Sequence, residues 1–151
     1  MSARLPFSVV TKPTGAACNL DCQYCFFLSK ELLYDAAAQT MSEQTLERYV
    51  EAFLESSPDG EVTMLWQGGE PTLRGLHFFE RLMDLCERYR RPTQSVRHAL
   101  QTNGTLVTDE WARFFADHGF LVGVSIDGPA PLHDAYRLNR GGRGTQAMAA
   151  V

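Results

Sequence analysis

Two textures alternate along this chain, and that alternation constrains the fold more than any single residue does. Phe7–Thr11, Val62–Trp66, Val96–Leu100 and Leu121–Ile126 are short apolar, β-branched runs of strand character. Between them lie helical patterns. Leu46, Tyr49, Val50, Phe53 and Leu54 fall on one face of a helix near Ser42–Ser56. Thr40 and Glu43 have capping-box spacing ahead of it, with Ser42 as a rival cap. A second helix is predicted over Leu76–Tyr89, with Phe79, Leu82, Met83 and Cys86 on one side. A third follows Thr108 and carries Trp111, Phe114 and Phe115. Residues 30–40 show no clear pattern.

Strand then helix, repeated with short connections, predicts a parallel sheet with right-handed crossovers. The fold class is therefore α/β, a partial parallel (β/α) barrel with about four βα units. A complete eight-unit barrel takes about 250 residues. The chain has 151 residues, and its last stretch, TQAMAAV, reads as the start of another helix. The expectation is one domain over residues 1–151, the N-terminal part of a barrel, truncated at its C-terminal end.

Composition narrows the partners. The formal net charge is −4 and no block of like charge is longer than Arg90–Arg91, which argues against a nucleic-acid partner. No apolar run reaches the roughly 20 residues of a membrane span. The N-terminus MSARLPFSVVTKP is a poor export signal, because Lys12 and Pro13 break its apolar stretch. A cytoplasmic, reducing location follows. There the four cysteines serve as metal ligands or core residues rather than disulfides.

Three of them form a CxxxCxxC array: Cys18, Cys22 and Cys25, in a loop running from Thr14 to about Ser29, after the first strand. Three thiolates this close can converge on one iron–sulfur cluster. Three ligands for four irons leave one iron open, and catalytic metal sites keep such a vacancy. Structural zinc and a disulfide loop remain alternative readings of the spacing. Cys86, on an apolar helix face, reads as a buried inert thiol.

The other strands end in small or polar groups. Gln67-Gly68-Gly69-Glu70-Pro71 follows the second strand. Its glycines let backbone approach a ligand, and its carbonyls with the Glu70 carboxylate can accept from an ammonium group. Gln101-Thr102-Asn103-Gly104 follows the third strand, and Ser125-Ile126-Asp127-Gly128 ends the fourth. Ser125 shares a face with Gly123. Arg137 suits bidentate grip of a carboxylate, while Arg140 and Arg143 read as a solvated basic loop.

These motifs together carry a resemblance. Cys18–Cys25 followed by Phe26-Phe27-Leu28, WQGGEPTL (66–73), LQTNGTL (100–106) and SIDGP (125–129) are similar to the radical SAM superfamily. Within it they resemble the anaerobic sulfatase-maturating enzymes. The resemblance implies an iron–sulfur oxidoreductase with a 4Fe–4S cluster on Cys18, Cys22 and Cys25. It implies reductive cleavage of S-adenosylmethionine (SAM) to a 5′-deoxyadenosyl radical, which oxidises a Cys or Ser of a sulfatase to 3-oxoalanine (formylglycine). By position, Gly68, Gly69 and Glu70 would receive the SAM ammonium, and Ser125 and Arg137 its carboxylate. Tyr24 would pack near the adenine, with Phe27 where relatives often carry Tyr, and Gln101 completes the cofactor side. The implied partners are a sulfatase polypeptide and an electron donor such as flavodoxin or ferredoxin. The auxiliary-cluster motifs and acidic catalytic base of the family do not occur in these 151 residues. Another peptide-modifying radical SAM enzyme and an inactive metal-binding fragment stand as alternatives.

Overall fold

A computed structural model describes residues 5–27 and 40–149. The patternless stretch 30–39, Leu28 and the end of the expected cysteine loop lie outside the described residues.

Among these residues a four-stranded sheet runs in the order β1 (Val10–Thr11), β2 (Gly60–Trp66), β3 (Gln94–Thr102), β4 (Leu121–Val124), with every pairing parallel. The strand order matches the sequence order, as successive βα units of a barrel require. The helices are α1 (Glu43–Ser56), α2 (Leu76–Tyr89), α3 (Asp109–Asp117), α4 (Ala130–Tyr136) and the short α5 (Gln146–Ala149).

One face of the sheet meets the helices. Val62, Met64 and Trp66 of β2 and His98 and Leu100 of β3 are buried there, at period two. Leu46, Val50, Phe53 and Leu54 of α1, Phe79, Leu82 and Leu85 of α2, and Trp111, Phe114 and Phe115 of α3 complete this core. The opposite face carries the alternate residues Leu65, Ala99, Gln101, Leu121 and Gly123, around a groove of ≈ 380 Å³. Helices against one face of a parallel sheet are barrel-wall geometry; a doubly wound sheet covers both.

Local signals set the boundaries. Ser42, not Thr40, caps α1, its Oγ accepting from Thr45 N at 3.1 Å. Thr108 caps α3 through Trp111 N. The first strand is shorter than its apolar run. Phe7 makes no ladder; its ring packs edge-on against Phe53 at 5.3 Å. The fourth strand ends at Val124 rather than Ile126. Helix α4 has no counterpart among the helices expected from the sequence. Pro129 is its cap and Pro131 lies in its first turn, where a missing N–H costs nothing. No helix among the described residues is long and apolar enough to cross a membrane.

Candidate active site

The cysteine loop lies across the C-terminal ends of the strands, on the turn after β2. Gly69 N donates to Gly15 O at 2.9 Å and Glu70 N donates to Ala17 O at 2.8 Å. A Cβ on Gly69 would overlap the Ala17 carbonyl oxygen, and one on Gly68 would stand 2.8 Å from Gly15 O. The two glycines therefore admit the chain's own loop, where the sequence suggested close approach to a ligand. On its other side the loop runs along the segment after α4. Asp21 N donates to Leu138 O and Gln23 N to Tyr136 O, at 2.8 and 3.0 Å. Arg140, expected in solvent, donates from Nε to Cys18 O at 3.0 Å.

This clamping brings all three loop thiols to the wall of one cavity of ≈ 310 Å³, shared with Gly68, Gly69, Gln101, Ser125, Arg137, Tyr24 and Phe27. All three cysteines are free thiols. Burial pushes the Cys18 and Cys22 thiols above the ordinary range, and the Arg137 charge draws Cys22 part of the way back. Among the described residues no His, Cys, Asp or Glu side chains converge as they would around a single ion. Three free thiols on the wall of one cavity fit an iron–sulfur cluster, which bonds several thiolates at once.

Opposite the thiols stands a charged unit. Arg137 Nε lies 3.0 Å from Asp127 Oδ1. The Tyr24 hydroxyl donates to Asp127 Oδ2, and the Arg137 guanidinium sits 5.5 Å from the Tyr24 ring centroid. Burial, then the hydrogen bond that its hydroxyl donates to the Asp127 carboxylate, pushes Tyr24 up to about 12. The same contacts hold Asp127 below the usual carboxylate range against its own desolvation. Beside this unit Gln101 Nε2 donates to Ser125 Oγ at 2.9 Å. Gln101 Oε1 takes the space that a Cβ on Gly123 would fill. Phe27 lies under Lys12, whose Nζ is 4.8 Å from the ring centroid.

Glu70 departs from its expected role. Its side chain is fully buried and does not line the cavity. Oε1 accepts from Thr72 N at 3.1 Å, Thr72 Oγ1 at 2.6 Å and Thr102 Oγ1 at 2.7 Å; Oε2 accepts from Asn103 N at 2.8 Å. The carboxylate thus ties the end of β2 to the end of β3 and is not presented to an ammonium group. Sequence reasoning also passed over Asp127, read only as a turn residue, and the side chains of Asn19, Asn103 and Thr105, which join the cysteine loop to the β3 turn. The one available signal was asparagine at both positions, and asparagine is common in turns for other reasons. Cys86 lies apart, buried against Met64 Sδ at 3.7 Å, its thiol pushed up to about 12 by burial.

A sequence model of the Radical SAM superfamily matches residues 13–151. The chain is 43% identical over 139 residues to a serine-type anaerobic sulfatase-maturating enzyme of Bacteroides thetaiotaomicron, covering 91% of this chain and 33% of that protein. It is 41% identical over 133 residues to a cysteine-type anaerobic sulfatase-maturating enzyme of Clostridium perfringens, covering 87% and 36%. The solved structure of native anSMEcpe with bound AdoMet superposes with a TM-score of 0.87 at 38% identity, over 96% of this chain and 40% of that one. The chain thus spans about a third of the length of these curated relatives.

Proposed function

The chain belongs to the radical SAM superfamily, and on that premise we propose that it cleaves SAM reductively in order to oxidise a Cys or Ser of a sulfatase to 3-oxoalanine. One observation carries the reading: three free thiols and the double-glycine turn meet around one cavity, at the C-terminal end of a parallel sheet. Identity to both serine-type and cysteine-type maturating enzymes supports the substrate class.

When bound, a 4Fe–4S cluster and SAM supply the single electron and the hydrogen-abstracting 5′-deoxyadenosyl group that such an oxidation needs. In this reading Cys18, Cys22 and Cys25 are the cluster thiolates. Gly68 and Gly69 line the cavity without side chains, so that backbone carbonyls can accept from the SAM ammonium. The Ser125 hydroxyl and the Arg137 guanidinium hold the SAM carboxylate. Asp127 fixes the direction of Arg137, and Gln101 fixes Ser125. Tyr24 and Phe27 offer ring faces to the adenine side. Glu70 acts at one remove, by holding the two strand ends in register. Free thiols suit a reducing cytoplasm, where a flavodoxin or ferredoxin would deliver the electron.

The test incubates the anaerobically reconstituted full-length protein with SAM, dithionite and a sulfatase-derived peptide bearing the target Cys or Ser. Mass spectrometry is expected to find 3-oxoalanine in the peptide. SAM cleavage without any change in peptides of either type would reject the sulfatase substrate and leave the superfamily chemistry standing.

A further inference from the structure

We propose that Asn103 is a positioning residue whose side-chain amide donates a hydrogen bond to the Cys18 sulfur, raising the reduction potential of the cluster that Cys18 holds. The inference rests on the cluster reading above and adds a residue outside the cysteine motif.

The Asn103 amide has two donors and two acceptor positions, and all four are used. Nδ2 donates to Asn19 Oδ1 at 2.8 Å and to Cys18 Sγ at 3.7 Å. Oδ1 accepts from Thr105 N at 3.0 Å and from Thr105 Oγ1 at 2.7 Å. Thr105 Oγ1 in turn accepts from Asn19 Nδ2 at 2.8 Å, which closes a ring of three side chains. The ring dictates the orientation of the amide. A backbone N–H cannot accept, so flipping Asn103 would set its NH₂ against Thr105 N–H. The NH₂ must therefore face Asn19 and the sulfur. Asn103 is buried, and its own backbone N–H is held by Glu70 Oε2. The donor is thus fixed before any cluster is present, and Leu20 N adds a second donor to the same sulfur at 3.4 Å.

A donor at a ligating sulfur stabilises the state with more negative charge. Reduction adds one electron, so each such donor makes reduction easier. Removing the Asn103 donor should shift the potential to more negative values.

The test is an anaerobic redox titration of the reconstituted full chain without SAM, followed by electron paramagnetic resonance, with iron counted in each sample. Asn103→Leu removes the donor. It is expected to disfavour reduction by up to about tenfold, which is about 59 mV for a one-electron couple. Asn103→Asp keeps the acceptor for Thr105, replaces the donor with a charged oxygen, and should shift the potential further the same way. More negative potentials at unchanged iron content support the proposal. An unchanged potential in either iron-loaded variant overturns it. Loss of the cluster from both variants also overturns it, because Asn103 would then only hold the loop together. If the unsubstituted chain binds no cluster, the cluster reading itself fails, which is a separate outcome.

Discussion

Replacing Glu70 by glutamine should destabilise the fold before any ligand is added. A carboxylate presents acceptors on both sides, and the structure uses both: Oε1 toward Thr72 and Thr102, Oε2 toward the Asn103 backbone N–H. A glutamine amide can present its oxygen to one side only. With the oxygen toward Thr72, its NH₂ meets Asn103 N–H; reversed, it meets Thr72 N–H. Either way a buried N–H loses a charged acceptor and faces a donor. A hydrogen bond to a charged group is worth about 1.5–3 kcal/mol, and stranding a buried donor costs about 1–3 kcal/mol. The two figures describe overlapping losses, so the net expectation is about 2–4 kcal/mol. With a urea dependence of about 1–3 kcal/mol per molar, the unfolding midpoint should fall by roughly 1–2 M. Trp66 and Trp111 are both buried and report the transition by fluorescence. An unchanged midpoint combined with weakened SAM binding would refute the latch and return Glu70 to the SAM ammonium.

Further expectations concern single positions. Gly69→Ala forces a methyl into the Ala17 carbonyl and breaks the loop's hydrogen bonds to Gly69 and Glu70. Overpacking of about 1–3 kcal/mol plus those bonds should lower the melting temperature by roughly 5–15 °C; an unchanged melting curve would contradict the close approach. Cys22→Ala should lose most of the iron that the reconstituted chain binds, while Cys86→Ala should keep it, as counted by iron and sulfide assay. Equal losses would move the metal site. His98 accepts from Trp66 Nε1, stacks on Phe120, and is pushed down to about 4 by burial and then by the nearby His118. Its folded value lies below its unfolded one, so the unfolded chain binds the extra proton. Stability is then full above about pH 6.5 and declines as pH falls toward 4, by about 3 kcal/mol from this residue. Urea midpoints measured between pH 7 and 4 should show that slope, and His98→Leu should flatten it.

The four strands and three long helices were legible because burial on one face imposes a period on the sequence, and Leu46 to Leu54 or Val62 to Trp66 display it directly. The ends were less legible. Phe7 is half exposed and outside the sheet, its ring set edge-on against Phe53, and apolar character alone does not separate such a residue from a strand. Helix α4 was hidden by Pro129 and Pro131, which signal a turn unless one knows that a helix begins there. The cysteine array carried the site because its spacing is local. The pairing of Asp127 with both Tyr24 and Arg137 is not local. A carboxylate 103 positions from one partner leaves no periodic trace. Glu70 is the converse case: a charged residue inside a ligand-like motif invites a ligand-facing reading, and in the structure it is buried and hydrogen-bonded between two strand ends.

The most direct test of the central claim is the release of 5′-deoxyadenosine from SAM by the reconstituted, dithionite-reduced chain. The account predicts 5′-deoxyadenosine and methionine in equal amounts from the unsubstituted chain, and neither from Cys22→Ala. A chain that holds about four irons and binds SAM, yet releases no 5′-deoxyadenosine on reduction, would contradict it.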